Sequence, residues 1–407
     1  MHYRILSDCL ITPKHVMDRA TVEICGRRIK AVHDQFVEDR EIPTLDARGK
    51  LVAPAFINAH DHFLGTWTPR VGRGHYFHWA HWNADLKSSD VTQDRSKTSD
   101  LDRYIMASYK SICAGVTTAS DHIPHEINDP FVERMPIRIL TDYTLAHAVS
   151  DMRLDWGNGI QIEYEQSEGK KPFITHCNEG FDADSKDEVY ELHRLGVLQR
   201  NTVLIHGVAL NDDDIRLMAQ QEASLVWCPV SNMFMYNVTA DVPRLQKAGV
   251  NVALGTDSCA TGGLHLMAEL QYAKEVAASW DYGEISDRDY LNMVTINAAK
   301  ALMIHDKLGS VEAGKLADLL VLERKAKDPY AAATDCLPAD IRLLTMSGKP
   351  LLGEPGFQNL FDQSKETYST VAIQGQRRLI IGEPMKVVER VRHAVGSHKE
   401  LPFLPFA

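Results

Sequence analysis

Through the middle of the chain, short apolar runs alternate with longer amphipathic stretches. Thr117-Thr118-Ala119-Ser120 before Asp121-His122, Ile137 to Tyr143, Phe173-Ile174-Thr175 before His176, Val203-Leu204-Ile205 before His206, Leu225 to Pro229 and Val250 to Leu254 before Gly255-Thr256-Asp257 read as buried strands. The stretches between them carry helix signals. Ser185-x-x-Glu188 predicts a capping box, followed by Val189, Leu192 and Leu195 on one side and Gly196 at the end. Asn211 predicts the cap of the next helix, with Asp212, Asp213 and Asp214 favourable at its N-terminus, and Pro243 to Ala248 ends at Gly249. Strand and helix in regular alternation predict an α/β fold, a TIM-like (β/α) barrel over residues 53–308.

The two ends of the chain carry a different pattern. Thr21 to Val32 alternates, turns at Gly26 and alternates again, which predicts a hairpin. A similar signal returns at Asp318 to Leu322 and Ile341 to Met346. Residues 1–52 and 309–407, the latter including a C-terminal extension, are therefore expected to build one small β-sandwich, with the barrel inserted between its halves. The interval from Asp142 to His176 has room for only one helix. Ile160, Ile162 and Tyr164 alternate, but Ile160 and Tyr164 also share a helix face, and the helix is the favoured reading. The fourth barrel strand is thus expected to be short, displaced or missing.

Length and charge narrow the function. A chain of 407 residues exceeds what one hydrophobic core of about 250–300 residues supports, which agrees with a large unit and a smaller one. A net charge of −11 without a Lys/Arg block argues against a nucleic-acid partner. No apolar run reaches the roughly 18 residues of a membrane span, and Met1 to Asp8 does not read as a signal peptide. Seven cysteines, scattered and without a CxxC, suit a reducing cytoplasm. The expected partner is a small molecule.

The chemistry begins at Leu51 to His62, an apolar run ending in His-x-His. On a strand, residues two apart share a face, so His60 and His62 point one way and Asp61 the other. Later runs end in His122, His176, His206 and Asp257, and a barrel gathers such strand ends at one mouth. Any one of these histidines is more simply a hydrogen-bonded loop residue; five apolar runs ending this way are not. Imidazoles and a carboxylate suit Zn²⁺ or Fe²⁺ with a position left for water, whose pKa falls from 15.7 to about 7. His176-x-x-Glu179 adds an acid that could protonate a leaving nitrogen, against the plainer reading of a solvated loop carboxylate.

Taken together, Leu51 to His62, Gly115-Val116-Thr117-Thr118, His176-Cys177-Asn178-Glu179, Val203 to Gly207, Trp227 to Asn232, Ala248 to Ser258 and Gly309 to Leu322 resemble the amidohydrolase superfamily, in its branch of cytosine, guanine and triazine deaminases and chlorohydrolases. The resemblance implies a distorted barrel beside a β-sandwich. It implies one metal held by His60, His62, His176 and Asp257, with His206 beside it, Glu179 shuttling protons and Asp257 also accepting the proton of the attacking water. Ala55, Ser258 and Cys177-Asn178 depart from the family pattern without altering its spacing. No lysine is placed for a two-metal site. The implied reaction is hydrolysis of a carbon–nitrogen bond other than a peptide bond, most readily deamination of a small amino-heterocycle. Ring opening of a cyclic amide or triazine dechlorination is the alternative, a non-enzymatic assembly module a remote one. Homodimers are common in the family.

The loop from Trp67 to Trp82 holds three of the six tryptophans. Aromatic faces suit a flat heterocycle and arginines an anionic or carbonyl group, which marks Trp67, Arg70 and Arg73 as candidate substrate residues, with His122 at the mouth. A packed lid or an oligomer contact is an equal reading of this loop. His75, His78 and His81 recur every third residue, a weak hint of a second metal. Cys177, Cys228 and Cys259 read as packing residues.

Overall fold

The strand Phe56–Asp61 is buried along its whole length and pairs in parallel with Val116–Asp121, which pairs in parallel with Arg138–Ile139. A second parallel sheet holds Thr144–Leu145, Phe173–Cys177, Thr202–His206, Ser224–Trp227 and Asn251–Leu254 in that order. Burial on both faces is why these strands read as apolar runs and not as alternations. The computed structural model that shows this describes residues 1–37, 41–279 and 283–406.

Two junctions join the sheets into the expected distorted TIM-like barrel. At one, Thr256 N and Asp257 N both donate to the His60 carbonyl, at 2.9 and 3.2 Å, and Gly255 N donates to Trp227 O at 3.0 Å. Gly255 makes this approach possible: a Cβ there would lie 2.7 Å from His60 Cβ. At the other junction a single bent run serves both sheets. Arg138–Ile139 lies in the first, and Thr144–Leu145 pairs with Phe173 and Ile174 in the second. The fourth strand is therefore present but only two residues long, and no helix separates it from the third. Ile160–Gln166 is a helix, as favoured. Among the described residues the ladder is not continuous around the barrel.

Two of the three helix starts form as read. Asn211 accepts from Asp213 N and Asp214 N, and Asp214 accepts from Asn211 N, closing a capping box on Asp212–Gln220. Asp241 caps Val242–Ala248, which ends on Gly249 at φ 91°. The Ser185–Glu188 box does not form. Asp182 caps the short helix Ala183–Lys186 instead, accepting from Ser185 N. The Glu188 carboxylate is drawn inward, where Asn178 N donates to it at 2.6 Å and Ser150 N at 3.3 Å. Two buried backbone donors without other partners outcompete one helix end.

The sandwich comes from both ends of the chain. One sheet orders Arg28–His33, Ala20–Cys25, His2–Ser7 and Thr44–Asp46. The other runs from Tyr368–Ile373 through Gln376–Ile381, Lys349–Gly353, Ile341–Met346, Leu319–Glu323 and Lys50–Pro54 to Leu10–Ile11 and Val16–Met17. Tyr3, Ile5, Val22 and Ile24 meet Val52, Leu319, Val321 and Leu343 in one buried cluster. Lys50–Pro54 leads directly into Phe56–Asp61, so the sandwich fixes the start of the barrel strand that carries His60. Among the described residues no helix is long and apolar enough to cross a membrane.

Candidate metal centre

The strand ends converge. The ring centroids of His60 and His62 lie 4.7 Å apart, and those of His176 and His206 lie 5.3 and 5.8 Å from His60. One donor atom each from His60, His176 and His206 falls within 4.8 Å of the others, and so do donors of His60, His62 and Asp257. His60 belongs to both groups. The structure thus brings together all five residues that the sequence placed at the metal, and sets His206 in one donor group with His60 and His176. His206 and Asp257 leave their strands with φ of 75° and 53°, in the left-handed region that costs a non-glycine residue about 1–3 kcal/mol. Such strain is held only where surrounding contacts fix it.

The residues present fit a divalent cation. His60 is fully buried, and neither ring nitrogen has a hydrogen-bond partner among the described residues. Two orphaned nitrogens in a dry site are costly unless something binds them. His176 Nδ1 donates to the His147 carbonyl at 2.9 Å, which leaves Nε2 with its lone pair free. His206 Nδ1 lies 2.9 Å from Asn232 Oδ1, with the same consequence. Burial, reinforced by the neighbouring imidazoles, holds His60 and His176 well below the usual histidine range, and burial lowers His206 as well. All three rings are therefore neutral, as ligands must be.

The two carboxyls are set apart by their surroundings. Burial pushes Asp257 up, but His62 and His206, with hydrogen bonds from Ser231 at 2.6 Å and Thr261 at 2.7 Å, outweigh it and hold it below the usual range. Glu179 is pushed well above the usual range by burial and then by the charge of Asp257. Tyr236 donates to Glu179 Oε1 at 3.2 Å, and His206 Nε2 lies 3.6 Å from the same oxygen. One carboxyl is held down and the other pushed up within a single pocket.

Beneath the centre, Asp61 turns away from the histidines. Its carboxylate takes Lys110 Nζ at 2.8 and 3.1 Å and Asn58 Nδ2 at 3.0 Å, all of them buried. A register slip between Asn58 and Asp61 lets this polar group sit within a barrel strand.

The candidate substrate residues fare unevenly. A cavity of about 190 Å³ opens on His62, His176, Glu179, His206 and Asp257, walled by Trp79, Trp82, Trp156, Leu154 and Met235. Trp67 does not line it. Its ring is buried in the core beneath Lys399, whose Nζ lies 4.4 Å from the centroid. Arg70 donates to the Gly262 carbonyl at 3.2 Å and lies over Phe234, and Arg73 is exposed; neither lines the cavity. His122 is buried behind His176 at 4.6 Å between centroids, with Nε2 3.3 Å from the Ala146 carbonyl. His78 is no metal ligand here, since its Nδ1 accepts from Ala80 N and caps the helix Trp79–Ser88. Cys177, Cys228 and Cys259 are buried, free thiols, raised by burial. His147, a histidine the sequence offered for the mouth, does line the cavity; Trp156 and Arg95, which line it too, carry no sequence signal beyond residue type.

Residues 138–353 match the family model of the amidohydrolase family. The chain belongs to that family. Membership bears out the resemblance carried by the motifs. Among relatives of this amidohydrolase, a 5-methylthioadenosine/S-adenosylhomocysteine deaminase of Thermoanaerobacter pseudethanolicus is 33% identical over 214 residues, 50% of this chain and 48% of that protein. A deaminase of the same name from Syntrophobacter fumaroxidans is 26% identical over 357 residues, 75% of this chain and 80% of that protein. The match thus spans about half the length of the first relative. In fold, the amidohydrolase resembles a zinc-bound adenosine deaminase from Xanthomonas campestris, with a TM-score of 0.73, 18% identity and coverage of 96% and 97%. It also resembles atrazine chlorohydrolase from Arthrobacter aurescens TC1 complexed with zinc, with a TM-score of 0.75, 18% identity and coverage of 96% and 100%.

Proposed function

We propose that this amidohydrolase is a metal-dependent hydrolase of carbon–nitrogen bonds other than peptide bonds, and that it deaminates a small amino-heterocycle. The observation that carries the reading is geometric: His60, His176 and His206, and His60, His62 and Asp257, present donor atoms within 4.8 Å of one another, and Glu179 lines the same pocket. The deaminase names of its relatives support it.

On this reading His60, His62, His176 and Asp257 hold one ion in the barrel of residues 53–308. Zinc is favoured, as in the zinc-bound proteins of like fold, with Fe²⁺ as the alternative. When bound, such an ion supplies Lewis acidity, lowering the pKa of water from 15.7 to about 7. Asp257 takes the proton that the attacking water gives up. His206, its tautomer fixed by Asn232, orients that water or the oxygen it becomes. Glu179 delivers its proton to the departing nitrogen, so that water and amine become carbonyl and ammonia. Trp79, Trp82 and Trp156 offer flat faces to the ring and keep bulk water out. Its seven free cysteines, six of them buried, suit the cytoplasm.

The test is an ammonia-release screen over aminopurines, pterins, pyrimidines and triazines, run on the metal-loaded protein and on Glu179→Gln. Turnover of one class, reduced about 10²- to 10⁴-fold in the variant with metal content retained, is expected. A new carboxylate or chloride as product, without ammonia, would replace deamination with ring opening or dechlorination.

A further inference from the structure

One wall of the pocket carries a charge that no carboxylate among the described residues balances. Arg95, the last residue of the helix Asp90–Arg95, is half-buried and lines the same cavity as His62, Glu179 and Asp257. Its Nη1 donates to the Leu64 carbonyl at 3.1 Å. Among the described residues, no carboxylate lies within ion-pair distance of it. Arg103, close by, is the opposite case, paired with Asp100. A guanidinium offers five donors in a planar fork, and Arg95 uses one of them on the protein. The wall around it is apolar, with Leu64, Leu86, Trp82 and Met235, so the remaining donors face little that could accept from them.

The group is also held in place. Asp94, beside it, accepts from Lys399 Nζ at 3.2 Å. Lys399 donates to the Thr68 carbonyl as well and covers Trp67, so the C-terminal stretch ties the end of this helix to the loop after the first barrel strand. A cation fixed in a ligand pocket, with its fork unoccupied, is arranged for recognition and not for folding.

We propose that Arg95 recognises a carboxylate carried by the substrate away from the ring carbon that is attacked. The inference rests on the proposed deamination for its substrate ring and adds the second handle. One guanidinium matches one negative charge. A phosphate monoester would bring nearly two, into a cavity that already holds the Asp257 carboxylate and no other Lys or Arg among its described lining residues.

The test compares two nucleosides with the same ring, S-adenosylhomocysteine, which bears a carboxylate, and 5-methylthioadenosine, which does not. The kcat/KM ratio between them is measured for the zinc-loaded wild type, Arg95→Gln and Arg95→Lys. The ratio is expected to fall roughly tenfold or more in the glutamine variant, through KM, and to recover in part with lysine. An unchanged ratio would overturn the assignment. Should neither nucleoside be deaminated, the choice of ring fails while the assignment stays testable by binding. Quenching of indole emission by 4-aminobenzoate should exceed that by 4-aminobenzamide in wild type, with the preference lost in Arg95→Gln. Equal binding of the two probes to wild type would overturn it.

Discussion

His206 stands between Asn232 and Glu179, its Nδ1 2.9 Å from Asn232 Oδ1 and its Nε2 3.6 Å from Glu179 Oε1. Asn232 Nδ2 donates to Thr239 at 3.2 Å, which fixes the amide with its oxygen toward the ring. The hydrogen bond therefore fixes a proton on Nδ1 and leaves a lone pair on Nε2, toward the cavity. Replacing Asn232 with Leu removes the acceptor and frees the other tautomer. Ammonia release is expected to fall about 10- to 100-fold, and Asn232→Asp, which keeps an acceptor, to lose less. Equal losses in the two variants, measured as kcat alongside thermal stability, would contradict the tautomer argument.

Lys110 and Asp61 form a buried ion pair at 2.8 Å directly under the histidines. Removing one partner strands a charge without solvent. Lys110→Met is expected to cost about 3–5 kcal/mol, read from the urea midpoint, and Lys110→Met with Asp61→Leu to recover much of it. A double variant no more stable than the single one would show that the pair does more than neutralise itself.

Glu23 gathers Lys30 at 2.8 Å, His2 at 2.9 Å and Arg4 at 3.1 Å in the sandwich. Hydrogen bonds from Lys30 and His2 lead in holding its carboxyl down at about 2, below its ordinary 4.5. A carboxyl lowered on folding binds fewer protons in the native state, so it stabilises the fold above about pH 4.5. That contribution is lost as pH falls from there toward 2. The Tm difference between wild type and Glu23→Gln should be level above this window and shrink within it. A difference that widens on acidification would contradict the sign.

The barrel and its histidines were legible because both follow from local pattern. Apolar runs buried on two faces announce strands, and strand ends of a barrel meet whatever the loops do. The fourth strand was half legible: the missing helix showed in the short interval before His176, but pairing at Thr144 and Leu145 depends on neighbours in space. Glu188 has the spacing of a helix cap, and only the unmet N–H groups of Asn178 and Ser150 turn it inward. Trp67 is an aromatic in a loop rich in them; the C-terminal Lys399, far off in sequence, makes it part of the core. Arg95 shows the same limit in reverse, since a cation's lack of a partner is visible only in three dimensions.

The central claim is that a divalent ion held by His60, His62, His176 and Asp257 is required for deamination. Metal content and ammonia release measured together on the protein as purified, after chelation and after return of Zn²⁺ test it most directly. About one ion per chain, with activity lost on chelation and restored with the metal, is the expected result. Undiminished ammonia release from the metal-free chain would contradict it.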